Sequence, residues 1–132
     1  MLHKLKLIML VGGFRGDKMR MFKNDLNLEM TKGDTFSFGV EITDLGQELD
    51  SAYFTVKNNY DDETPVFQKE IGNGIELDHI EGNNYYYKVR IAPEDTKDLE
   101  PKKYYYDFEI NVNDDTFTLL KGILDIEFDI RG

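Results

Sequence analysis

From Leu26 onward, apolar and polar residues alternate with a period of two in one short run after another. Leu26, Leu28 and Met30 are separated by Asn27 and Glu29, and a Lys32-Gly33-Asp34 turn follows. Phe36, Phe38, Val40 and Ile42 then alternate with Ser37, Gly39 and Glu41, and Ala52, Phe54 and Val56 with Tyr53, Thr55 and Lys57. Successive side chains of a strand point to opposite faces, so each run predicts a strand with one buried face. After the polar loop NNYDDETP, further strands are predicted over 66–71, up to a Gly-Asn-Gly turn, and over 75–80.

Two segments repeat one pattern: YYYKVRI at 85–91 and YYYDFEI at 104–110. Tyr85, Tyr87, Val89 and Ile91 share one face, as do Tyr104, Tyr106, Phe108 and Ile110. Both sets read as core faces, with phenol oxygens reaching the rim. The outer faces carry opposite charge, Lys88 and Arg90 against Asp107 and Glu109. The connector 92–103 is long for a hairpin, however, and fits a crossover between two sheets. LEPKKYYY resembles a tyrosine corner, in which a Tyr bonds back to the preceding turn. The only helical signal is PEDTKDLEP, which predicts a turn or two near 94–99, with acidic residues at its start and Pro101 at its stop.

The last run changes phase. Phe117 and Leu119 are apolar at odd positions, whereas Leu124, Ile126, Phe128 and Ile130 are apolar at even ones. One strand buries both sets only with an inserted residue, and Gly122 suggests a bulge at Lys121-Gly122. The expected fold is therefore all-β, an immunoglobulin-like sandwich of about seven or eight antiparallel strands.

A chain of 132 residues is one domain's worth. The expected division is an N-terminal extension over 1–20 and a single sandwich domain over 21–132. In the extension, Lys6 interrupts an apolar run too short for a signal peptide or a membrane span. The segment 5–11 is instead expected to be an extra strand, docking on the body or on a neighbour. Alternatively, translation begins at Met19 or Met21, with RGDK upstream encoded by a purine-rich ribosome site.

Net charge and residue supply narrow the chemistry. At −10 the chain repels phosphate backbones and anionic headgroups, so neither nucleic acid nor membrane is an expected partner. Without cysteine there are no disulfides, thiolate metal sites or thiol nucleophiles. Two histidines, His3 and His79, and two serines, Ser37 and Ser51, do not make a nucleophile-elbow pattern. The loop acids Asp44, Asp50, Asp61-Asp62-Glu63 and Asp114-Asp115 match no calcium-loop spacing and read as turn formers. VGGFRGDK lacks both phosphate-loop spacings. The expectation is no enzyme, no metal and no cofactor. The remaining candidates are Tyr53, Tyr60, Tyr86 and Tyr105, at outward or loop positions, where aromatic rings stack on sugars or anchor protein interfaces. Unless the four cluster, ordinary cross-strand pairing explains them.

Taken in order, KGDTFSFGVEI, LDSAYFTVKN, YYYKVRIAPEDTKDLEPKKYYYDFEI and FTLLKGILDIEFDI resemble the amino-terminal domain of phage baseplate upper proteins and related tail or fibre proteins of phages of Gram-positive bacteria. The resemblance runs from about Asp25 to Ile130 and consists of fold-determining positions. Lys102 stands where that family usually has Gly in the turn, and the family's chains continue beyond the point where this one stops. The resemblance implies a structural protein of a phage or prophage, made in the bacterial cytoplasm and carried in the virion. It would dock on other phage structural proteins through edge strands and in multiple copies, hence as a homo-oligomer. The alternative is an immunoglobulin-like carbohydrate or cell-surface binding module.

Overall fold

A computed structural model of the chain describes the backbone of residues 6–10 and 24–25 and all of residues 27–130. Its strands are β1 (Lys6–Leu10), β2 (Asn24–Asp25), β3 (Leu28–Thr31), β4 (Phe36–Thr43), β5 (Ser51–Lys57), β6 (Phe67–Ile71), β7 (Gly74–Glu81), β8 (Asn84–Ile91), β9 (Lys103–Val112) and β10 (Asp115–Glu127); a helical turn, α1 (Pro93–Thr96), lies between β8 and β9. The strands run in the order β1-β4-β8-β7-β6-β5-β9-β10-β2, with β3 also on β10, in one sheet that curls nearly closed. The fold is all-β, as the alternation predicts. Met19, Met21 and Leu26 lie outside the described residues.

The alternating residues supply the core. Phe38, Val40, Ile42, Ala52, Phe54, Val56, Tyr87, Val89, Ile91, Tyr106, Phe108 and Ile110 are all buried. Strands β4 and β5 are not sheet neighbours, yet the Phe38 and Phe54 rings meet edge to face at 5.5 Å. The two walls therefore touch through side chains, the arrangement of a sandwich interior.

The two tyrosine strands are not paired with each other. β8 lies between β4 and β7, whereas β9 lies between β5 and β10, so 92–102 is a crossover between walls. Within it Asp95 Oδ2 accepts from the Ala92 amide (2.7 Å) and Pro93 stands in the first turn, where its missing N–H is no loss. Tyr104 Oη then donates to the Glu100 carbonyl at 2.6 Å. That is the tyrosine corner expected from LEPKKYYY, formed although Lys102 occupies the family's glycine position.

Three local expectations are corrected. First, the strands are not all antiparallel: β1 runs parallel to β4, β2 and β3 to β10, and β6 to β7. β3 is joined to β10 by nearly the whole domain, so no hairpin constrains their relative direction. β6 and β7 pair only at Glu70↔Gly74 and Ile71↔Ile75, where Gly72 (φ 88°) and Gly74 (φ 100°) turn the chain through a corner open to glycine. Second, the β10 bulge falls at Leu119, between the pairs Thr118↔Glu109 and Leu120↔Phe108, and not at Lys121-Gly122. Gly122 stays in register opposite Tyr106. Placing the extra residue at 119 turns two consecutive leucines into the core, and both are fully buried. Third, β10 stops at Glu127, where its partner β3 also ends at Thr31. With no ladder beyond, Phe128 and Ile130 are 76% and 97% exposed.

Candidate functional site

The outer face of β5, β9 and β10 carries the most developed surface constellation. Register places Lys57 opposite Tyr105 and Tyr105 opposite Ile123; one row along, Thr55, Asp107 and Lys121 align; next come Tyr53, Glu109 and Thr118. These residues are half-buried, as expected of a sheet face whose side chains shield one another. Tyr60, from the loop after β5, folds back over the Tyr105 ring with centroids 4.5 Å apart and planes inclined by 34°. Asp62 Oδ2 accepts from the Asn59 amide (2.9 Å), so the loop acids initiate this turn, as their composition suggests. Tyr60 leaves its other side open and is 56% exposed.

Of the four tyrosines singled out from the sequence, the fold brings together two. Tyr60 and Tyr105 stack, Tyr53 lies on the same sheet two rows away opposite Glu70 and Glu109, and Tyr86 belongs to β8 in the other wall. Ile123 and Asp107 complete the surface. Ile123 was missed and Asp107 was read only as an outward charge, because alternation marks such residues as outward and says nothing about which strands lie beside them.

Burial pushes the Asp107 carboxyl above the ordinary carboxylate range, and the nearby Lys57 charge pulls it only partly back. The native state therefore holds this proton more tightly than the unfolded chain. Its contribution to stability falls as pH rises from about 4, the unfolded carboxyl's value, through the higher native value, and is level above it. Asp107→Asn is accordingly expected to unfold at a urea concentration no lower than the parent at pH 7. That advantage should shrink as pH is brought down to about 4; a variant less stable at pH 7 would mean the ionised carboxylate is held favourably.

Tyr86 sits in a different cluster. Its ring stacks on the His79 imidazole at 4.0 Å and 11°, and its hydroxyl lies 3.5 Å from Glu81 Oε2. Glu41 stands directly opposite on β4. Loss of solvent, then the Glu41 carboxylate, then Glu81, push the phenol up to about 12. It stays protonated, and its hydroxyl donates to Glu81 Oε2. His79 Nδ1 contacts Asp78 Oδ2 at 2.7 Å, and Nε2 lies 3.7 Å from Glu81 Oε1. Neither serine joins this imidazole: Ser51 Oγ accepts from Asn111 Nδ2, and Ser37 Oγ is buried without a partner among the described residues.

Two further groupings were invisible in the sequence. Glu29, Asp125 and Glu127 bring carboxylate oxygens within 4.8 Å of one another because β3 runs parallel to β10. Such exposed acid trios are ordinary on a surface of this charge. An open cleft of about 380 Å³ at one rim is lined by Lys32, Gly33, Lys97, Phe128 and Asp129, with the Gly33 amide donating to Thr96 Oγ1.

No family model matches the chain, and no curated protein matches it. Among solved structures, PbICP-C, determined in complex with falcipain-2, is similar at 12% identity and a TM-score of 0.50, over 96% of this chain and 98% of that one. That likeness shows the fold. The N-terminal domain of phage TP901-1 ORF48 aligns over 96% of this chain and 99% of its own, at 8% identity and a TM-score of 0.42. A rusticyanin structure aligns over 96% and 80%, at 13% identity and 0.43.

Proposed function

We propose that this chain is a non-enzymatic docking module of a phage or prophage particle, associated with its baseplate or tail and acting through protein–protein contacts. The observation that carries the reading is the motif PEDTKDLEPKKYYYD. It is the most distinctive part of the resemblance to baseplate upper proteins, and it folds as a helical turn followed by the Tyr104 corner. The surface supports the same reading. An aromatic anchor, Tyr60 on Tyr105, stands on a rigid sheet face, the kind of feature that concentrates binding energy at protein interfaces. A net charge of −10 suits a partner with a basic patch. No helix among the described residues is long and apolar enough to cross a membrane.

Inducing the prophages of the source bacterium, banding particles by density and quantifying this chain by peptide mass spectrometry tests the proposal. The expected result is co-banding at a fixed ratio to the other virion proteins. A chain abundant in cells but missing from particles would overturn it. The carbohydrate-binding reading would then take its place, because the Tyr60 ring, stacked on Tyr105 and 56% exposed, is a surface feature suited to stacking on a sugar.

A further inference from the structure

We propose that β1 is an exchangeable strand: at high local concentration, residues 6–10 of one copy leave their own β4 and pair with β4 of a second copy of this chain. The exchange stands independently of the virion reading, since it requires only copies of the chain in proximity.

The strand path begins at β1 and ends at β2 and β3. The seam of the nearly closed sheet is thus bounded on both sides by the N-terminal segment. No described strand pairs with the outer edge of β1. Its inner edge makes a short parallel ladder, Lys6↔Gly39 to Leu10↔Thr43, which is the less stable kind of pairing per residue. β4 does not rely on it for position, being held along its length by β8, from Phe36↔Ile91 to Ile42↔Tyr85.

What β1 does supply is a cover for the backbone of 39–43. Those strand groups stand at the border of the core, beside the fully buried Val40 and Ile42. If β1 departs, the N–H and C=O groups along this edge lose their partners, and an unpaired strand edge recruits another strand. Residues 6–10 of a second copy restore the same hydrogen bonds. Exchange of identical elements leaves the contacts unchanged and is a low-cost route to association.

The connection permits it. Tracing directions through the paired strands, β1 runs opposite to β2 and β3, so the chain leaves β1 at Thr43's rim and rejoins the sheet at Asn24, opposite Leu120. Within one copy that route covers roughly 20 Å, from the sheet separation and the rise along β10. Fully extended, the segment 11–23 reaches roughly 45 Å. The excess allows β1 to be placed on a neighbour while β2 and β3 stay at home. A linker of this length gives the home strand an effective concentration on the order of millimolar, so exchange wins only when copies are comparably concentrated or arrayed.

The absence of native cysteine makes a clean test. Leu10→Cys and Thr43→Cys, at positions whose Cα atoms are paired in the β1–β4 register, are made as two single variants and as one double variant. The single variants are mixed at about 1 mM, the scale of the linker's effective concentration, and oxidised. The expected result is a mixed disulfide dimer that forms severalfold faster than either self-pair, because pairing in register holds the two sulfurs side by side whereas the self-pairs meet only by collision. It should slow on dilution. A mixed disulfide no faster than the self-pairs, with the double variant closing only within one chain, would overturn the exchange. Failure of both would overturn it as well, because β1 would then not be on β4 at all. Near-UV circular dichroism of each variant confirms that the sandwich has folded before oxidation.

Discussion

Phe54→Ala is expected to lower the unfolding free energy by about 4 kcal/mol, the middle of the range for buried aromatic truncations. Phe54 is 0% exposed and sits where three rings converge: Phe38 at 5.5 Å from the facing wall, Tyr106 at 5.3 Å from the adjacent strand, and Phe67 at 6.4 Å from β6. Removing the ring takes away its transfer free energy and its edge contacts, and it leaves a void framed by strand backbones that cannot collapse into it. Domains of this size have roughly 5–15 kcal/mol in total, so the variant approaches the limit of folding. Its melting temperature should fall by about 15 °C. Urea unfolding followed by circular dichroism checks the figure, and a loss below about 1 kcal/mol would show that the walls do not close on this residue. By contrast, Tyr105, half-buried on the outer face, belongs to a surface whose losses should appear in binding before stability.

Lys69→Met is expected to cost about 3 kcal/mol, for an electrostatic reason. Lys69 is buried on β6, with its ammonium 2.5 Å from Asp95 Oδ2 in the crossover. The same carboxylate oxygen accepts from the Ala92 amide at the start of α1. Methionine fills the lysine's volume but leaves a largely buried carboxylate with only that amide for compensation. Removing one partner of such a pair is far more damaging than removing both. The double variant Lys69→Met/Asp95→Asn should therefore recover most of the loss, because asparagine keeps an acceptor for Ala92 and carries no charge. If the double variant is no better than the single, the loss does not come from an uncompensated Asp95 charge. Gly74 is part of the same arrangement: a Cβ there would stand 2.6 Å from Lys69 Cδ, so only glycine allows β7 to pass this close to the lysine stem.

The surface site was only partly legible. Tyr53, Tyr60, Tyr86 and Tyr105 could be identified as outward or loop residues because facing is set by alternation within each strand. Whether they meet depends on strand order, and that order separates Tyr86 from the others and leaves Tyr53 two rows from the stack. Tyr60 joins Tyr105 because its loop folds back over β9, a path that composition marked as a turn without giving it a direction.

By itself the sequence determined what is local: where most of the strands lie, which face of each is apolar, that β10 must contain an irregularity, and that the two tyrosine strands are separated by a crossover ending in the Tyr104 bond to Glu100. Alternation, turn chemistry and connector length act over a few residues and need no knowledge of the rest. Only the tertiary structure decided that the bulge sits at Leu119, that β1, β2 and β3 run parallel to their partners, that Phe128 and Ile130 point to solvent, and that Lys69 finds Asp95. Each of these is a choice among pairings distant along the chain. Such choices are settled by the summed burial and hydrogen bonding of the whole core, a quantity that no short window of residues contains.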